Sequence, residues 1–362
     1  MVNFINQMEP WFDNQEQEAL YKYMGEGGWV TEFKKTFEFE DLIKDFTGAK
    51  HCFVVNNGTI SLTLMAMAAG IKPGDEVLVP NYTMVATPNS LKMFGAEPRF
   101  IDVDPKTLCI SLNEIRKNVS LKTRAVFLMN ANGRYPSDID EIVSYCEDNN
   151  LILLEDSAQA LGSFYPDGLH QGRKGVAGSF SFSAPKIIST GQGGAIITDN
   201  DELAHNVSRL KDFGRSGGGN DVHEMIGFNF KFTDIQAVLG IVQMGKLDWR
   251  VNRMKEIYAR YKNNLSNIEE IQFFEQDLQY TTPWFIDIKA HKRDDLMTFL
   301  KLNNIGSRIM YPPINKQQAY NVEGEHIVSN EIGVSGLWLP SSSKLTDEQI
   351  DYIIKKIKEF YS

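Results

Sequence analysis

Short apolar runs recur along the chain, each closed by polar or turn-forming residues. "DEVLVP", "EPRFIDVD", "RAVFLMN" and "LILLEDS" are nearly continuous in hydrophobicity, the pattern of strands buried on both faces. Helix-like segments such as "SDIDEIVSYCEDNN" separate several of them. "NNGTISLTLMAMAAG" sets Ile60, Leu64 and Met67 on one helical face and reaches a stop at Gly70. Alternating strands and helices predict an α/β domain whose mainly parallel sheet is flanked by helices. After residue 245 the pattern changes. "KLDWRVNRMKEIYARYKNNL" reads as one long amphipathic helix, followed by "WFIDIKA", "RDDLMTFLKLNNI", "GSRIMYPP" and a closing helix "DEQIDYIIKKIKEFY". The expectation is a large α/β domain over 1–245 and a smaller C-terminal α+β lobe over 246–362, joined by the long helix.

Composition narrows the classes. At 362 residues with 42% hydrophobic and 23% charged, the chain has the material for a large core. A net charge of -10 with both signs interspersed argues against nucleic-acid and anionic-membrane partners, which favour basic surfaces. The cysteines, Cys52, Cys109 and Cys146, are odd in number and widely spaced, without a disulfide framework or a paired zinc spacing. The opening "MVNFINQMEPWFDNQEQE" lacks a basic start and apolar core, and no apolar run reaches membrane-spanning length, so a cytoplasmic location is expected. No metal site is expected.

Candidate chemistry lies just after the strand runs, where parallel sheets place ligands. In "GSFSFSAPKIISTGQGGAIITDN", Phe180 and Phe182 alternate with Ser181 and Ser183, and a glycine-rich turn presents Lys186. A surface lysine is the plain reading; an amine that forms a Schiff base is the other. In "LILLEDSAQALG" an apolar strand runs straight into Glu155 and Asp156, with Gln159 following. A carboxylate there needs a cation or donors, so it is either structural or the partner of a protonated pyridine nitrogen. Glu155 is expected to face away or support the fold. In "VVNNGTISL", Asn57, Gly58 and Thr59 stand where a helix begins; its free N–H groups either take an ordinary cap or receive a phosphate. In "GFNFKFTDIQ", Asn229 sits between Phe228 and Phe230, and Thr233 or Asp234 suits the following cap better. Amine, strand-end acid and phosphate cradle together meet the three demands of pyridoxal phosphate.

These residues carry a resemblance. "NNGTISL", "GDEVLVPNYT", "EDSAQALGS", "FSFSAPKIISTGQGG", "GFNFKFTDIQA" and "GSRIMYPPINKQ" occur in the order found in the DegT/DnrJ/EryC1 sugar aminotransferases and cover nearly the whole chain. The stretch "VSGLWLPSSSKLTDEQID" most resembles the perosamine-synthase branch. The resemblance implies the aspartate-aminotransferase-type fold (fold type I). It implies pyridoxal 5'-phosphate held as an internal aldimine on Lys186, with pyridoxamine phosphate as the intermediate. Asp156 would bind the pyridine nitrogen, Gln159 would lie near the ring hydroxyl, and Ser181, Gly58 and Thr59 would bind phosphate. Asn229 would reach the cofactor of a neighbouring protomer, which implies a homodimer with shared active sites. The substrates implied are glutamate and a nucleotide-linked 4-keto-6-deoxyhexose.

Several positions depart from the family pattern. The residue expected to stack on the cofactor ring is Met84, with Tyr82 two residues earlier; a thioether can cover a ring. Gln192 replaces a glutamate, Asn315 a histidine and Lys231 an arginine, and "NANGRYPSD" carries an extra residue. Tyr311, Asn315 and Lys231 are the candidate substrate contacts. A sugar dehydratase of this fold would carry histidine in place of Lys186. An aminotransferase for a small keto-phosphate or sugar acid, and a non-catalytic cofactor-binding regulator, stay open. A dinucleotide oxidoreductase would need a Gly-x-Gly-x-x-Gly turn that the chain lacks.

Overall fold

The computed structural model describes residues 3–217, 221–320, 322 and 324–362. The apolar runs form the strands of a seven-stranded sheet. These are β1 (His51–Val55), β2 (Glu76–Pro80), β3 (Glu97–Ile101), β4 (Thr123–Met129), β5 (Ile152–Asp156), β6 (Ala177–Ser181) and β7 (Gly194–Thr198), in the order β1-β7-β6-β5-β4-β2-β3. The pairs β2·β3, β2·β4, β4·β5 and β5·β6 are parallel, while β7 runs antiparallel to both β6 and β1. Two reversals cancel, so β1 points the same way as β6. The carboxyl ends of β1, β2, β4, β5 and β6 therefore emerge on one edge.

Both faces of the sheet are covered. Val77, Val79, Phe127 and Leu154 pack on one side with the helix Gly58–Ala68. Leu78, Val126, Leu128 and Leu153 pack on the other with Ile139 and Ile142 of the helix Ile139–Asp148. Burial on alternate sides of successive residues is why these strands read as unbroken apolar runs. The helix Gly58–Ala68 is enclosed more fully than its expected single face. Ile60, Leu62, Leu64, Met65 and Ala66 are all buried, and Met67 only partly.

After residue 245 the chain forms the long helix Leu247–Leu265 and a second sheet. Its strands are β8 (Ile271–Phe273), β9 (Ile286–Ala290), β10 (Arg308–Ile309) and β11 (Gly336–Leu339), antiparallel in the order β10-β11-β9-β8. The helices Arg293–Leu302 and Asp347–Tyr361 pack on it through Leu296, Leu300, Ile350, Ile353 and Ile357. Ile5, from the start of the chain, joins the same cluster and bridges to Ile305. Among the described residues, no helix is long and apolar enough to cross a membrane.

Candidate active site

A cavity of about 550 Å³ opens at the edge where the strand ends converge. Its wall includes Asp156, Gln159, Gly58, Thr59, Ser181, Lys186, Met84 and Tyr311. Each arrives there for a local reason.

Asp156 ends β5 and is almost wholly buried. Oδ2 accepts a hydrogen bond from Thr87 Oγ1 at 2.7 Å, and Oδ1 accepts one from Ala158 N at 3.2 Å. Neither partner is charged. Burial pushes its carboxyl above the usual carboxylate range, against these bonds and the pull of Lys186. The neighbouring Glu155 points elsewhere, as expected. It accepts backbone N–H groups from Gly172, Lys174 and Gly175 at 2.8, 2.6 and 2.8 Å and the Tyr165 hydroxyl, so it holds a loop.

Lys186 sits in the turn between β6 and β7, its backbone N–H bonded to Ser183 O at 3.0 Å. The amine lies 4.2 Å from the centre of the Trp284 ring. Enclosure pulls it down from its ordinary value to about 8, with Asp156 opposing that shift. Gly194 lets the returning strand lie against Asn57; a Cβ there would come within 2.6 Å of the Asn57 carbonyl oxygen.

The helix Gly58–Ala68 begins at the cavity. Asn57 caps it, its side chain accepting Ile60 N at 2.9 Å. The plain capping role therefore holds for Asn57, while Gly58 and Thr59 face the cavity. Ser181 and Ser183 share a side and lie 3.4 Å apart through their hydroxyls. A Cβ on Gly58 would fall 2.9 Å from Ser181 Cβ, so only glycine brings this helix start so close to the serine. Gln159 is fixed by Asn132 N, which donates to its Oε1 at 2.7 Å. Met84 is part of the wall, whereas Tyr82 is buried behind it, against Tyr311.

The expected substrate contacts Lys231 and Asn315 are not brought to this cavity, and Asn229, expected at a neighbouring protomer's cofactor, does not line it either. Lys231 Nζ binds Asp212 Oδ1 at 2.8 Å. Asn315 is tied to Asn81 and Asn330, at 2.9 and 3.0 Å through its side chain. Asn229 is exposed and bridges to Asp212. Conversely, Trp284 and Arg308 line the cavity and were not expected. "TTPWFIDIKA" reads as a strand with its breaker, and only the tryptophan at the strand's threshold sets it apart.

The donor set fits pyridoxal phosphate. A buried carboxylate without a bonded cation, a partly neutral amine, and helix N–H groups beside two serine hydroxyls surround one space. The glycine contact that a Cβ would block marks the anion end. The fold is of the aspartate-aminotransferase type, and the chain is a pyridoxal-phosphate-dependent aminotransferase. It belongs to the DegT/DnrJ/EryC1/StrS aminotransferase family, whose signature spans residues 11–358. It is 31% identical to GDP-perosamine synthase of Escherichia coli O157:H7 over 100% of both chains. It is also 32% identical to the pleiotropic regulatory protein of Geobacillus stearothermophilus over 88% of this chain and 87% of that one. Among solved structures, the aminotransferase TlmJ of Streptoalloteichus hindustanus superposes with a TM-score of 0.92 at 28% identity, covering 98% of each chain.

Proposed function

We propose that the protein moves an amino group from an amino acid, glutamate by preference, to a keto sugar, most closely a nucleotide-linked 4-keto-6-deoxyhexose. The observation that carries the transfer chemistry is the shared cavity of Asp156 and Lys186. The sugar is supported by full-length similarity to a GDP-perosamine synthase.

In this reading Lys186 holds the cofactor, and Asp156 faces the pyridine nitrogen and keeps its proton in place. Gln159 and Met84, both in the cavity wall, would hold the ring. Ser181, Gly58 and Thr59 hold the phosphate, with Asn229 supplied by a second protomer. Pyridoxal phosphate, once bound, supplies the electron sink for the charge that develops at the substrate carbon. The Lys186 amine would act as general base toward the donor's α-carbon proton and, once protonated, as the general acid that returns it. An amine that titrates near about 8 can do both at neutral pH. Tyr311, which lines the wall, would contact the sugar.

The test follows colour and product. Holoenzyme should lose its yellow colour with glutamate. The resulting form should then aminate one member of a panel of GDP-, dTDP- and UDP-linked 4-keto-6-deoxy sugars. Consumption of only a small keto-phosphate or sugar acid would overturn the sugar assignment. The relative named as a regulatory protein supports a second reading, a cofactor-binding regulator. Colour unmoved by any amino donor would select it.

A further inference from the structure

Asn132 lies in the segment "NANGRYPSD" that carries an extra residue, and the proposed transfer gives it no role. Its backbone is left-handed, φ 55, unusual for a residue with a side chain. It is 3% exposed, and each of its polar edges is used. The backbone N–H donates to Gln159 Oε1 at 2.7 Å. The side chain pairs with the backbone just before β9: Phe285 N donates to Oδ1 at 2.7 Å, and Nδ2 donates to Phe285 O at 2.8 Å. That pairing fixes Trp284, which stacks on Phe285 at 3.9 Å and sends its indole N–H to Pro185 O at 2.6 Å. Pro185 precedes Lys186, whose amine lies on the face of the same indole. The contacts thus run from Gln159 through Asn132 and Trp284 to the amine.

We propose that Asn132 and Trp284 are positioning residues for the transfer: Asn132 locks the approach to β9 against Gln159, and Trp284, so placed, docks the Lys186 ammonium on its indole face when the amine is free of cofactor. A lysine stem is flexible and its amine would otherwise wander. The ring face attracts a cation and has no such hold on a neutral amine. The indole therefore parks the protonated form and lets the free base swing back to the reacting carbon. Asp156, Arg308 and Tyr311 are the other charged or titratable groups of the same wall, and all stay in place in the variants below.

The inference rests on the transamination reading, and its test has an arm that does not. Apoprotein is labelled with trinitrobenzenesulfonate from neutral to alkaline pH, and the Lys186 peptide is followed by mass spectrometry. In Trp284→Leu the labelling midpoint should fall by about half a unit, because the cation loses its ring. In the same holoenzyme kcat should drop about tenfold or more, with the KM for the amino donor unchanged. Labelling faster while turnover slows is a signature that loosened packing alone does not give. Trp284→Phe, which keeps a ring face, should restore the wild-type midpoint. Asn132→Gly keeps the left-handed backbone and the bond to Gln159 but loses the pairing with Phe285, and should move both readouts as Trp284→Leu does. Asn132→Asp, which loses only the Nδ2 donor, makes the same comparison if the glycine variant does not fold. A wild-type midpoint in Trp284→Leu, or equal shifts in the leucine and phenylalanine variants, would overturn the docking. Wild-type behaviour of the Asn132 variants would overturn the lock. Holoenzyme indifferent to every amino donor would end the transamination reading and leave the labelling result standing.

Discussion

An acid and an amine face one space here, and their surroundings set them apart. Asp156 has neutral bonding partners in a buried site, so a protonated ring nitrogen is the cation its environment lacks. Replacing it by asparagine keeps the shape and removes the charge. Losing two units of support for the pyridinium corresponds to about 2.7 kcal/mol, so Asp156→Asn should slow the donor half-reaction about 100-fold, measured by single-turnover loss of colour. Lys186→Ala should abolish turnover with the melting temperature of the apoprotein little changed, since the side chain is half-buried and fills no core. The enclosed amine also sets a pH dependence. Only its neutral form attacks an aldehyde, and enclosure lowers its value to about 8. Uptake of pyridoxal phosphate by apoprotein should therefore accelerate as pH rises through that value and level off above it. A rate still climbing well beyond it would show an amine open to water.

At the scale of elements, the central strands β2, β4 and β5 were legible because both faces are buried, so they read as apolar runs, and β6 showed as alternating Phe and Ser. β5 and Asp156, and the Lys186 turn between β6 and β7, follow directly from that pattern. The short strands β8 and β11 were not individually legible, since three or four residues carry no period, whereas β10 falls inside the run "GSRIMYPP". The early helix Lys34–Thr47 was missed for a different reason: its first-turn N–H groups are satisfied from far along the chain. Asp234 accepts from Phe33 N, Lys35 N, Thr36 N, Thr36 Oγ1 and Tyr23 Oη, at 2.8 to 3.1 Å. The expected cap at 233–234 thus divides: Thr233 caps its own helix, and Asp234 caps another. Trp284 escaped notice because its partner, the Lys186 turn, lies about a hundred residues away in sequence. Burial pushes the Asp234 carboxyl up, but the bonds from Thr36, Lys35 and Phe33 win and hold it below the usual range. A depressed carboxylate adds stability above its unfolded value of about 3.9, and that stability is lost as pH falls through the lower folded value. Asp234→Ala should therefore cost about 2–3 kcal/mol near neutral pH, and the gap from wild type in urea melts should shrink in acid. A gap constant with pH would mean that the charge does not carry the cap.

For the whole molecule, the decisive feature is a set of exposed apolar side chains on two neighbouring stretches of the chain. Trp29 is 66% exposed, Phe37 53% and Ile226 83%, with Met225 and Phe228 also exposed. The two stretches adjoin, because Asp234 N bonds Thr31 O at 3.0 Å and Phe232 N bonds Glu32 Oε2 at 3.2 Å. A patch of this kind calls for a cover. In the proposed homodimer the cover is a second copy, and a twofold axis would carry Asn229, exposed within the same stretch, toward the partner's phosphate cradle. This would explain why Asn229 does not line the cavity of its own protomer, although its motif accompanies the others. Ile226→Asp places a charge on the most exposed of these residues and leaves the cavity wall of its own protomer untouched. Sedimentation should show a dimer for wild type and a shift toward monomer for the variant. Because the cradle would lose a donor along with the contact, affinity for pyridoxal phosphate should fall with dimer content, and raising protein concentration should recover both together. A wild-type monomer that binds the cofactor fully, or a monomeric variant with undiminished affinity, would mean that each protomer completes its own site and that Asn229 serves only the loop it bridges.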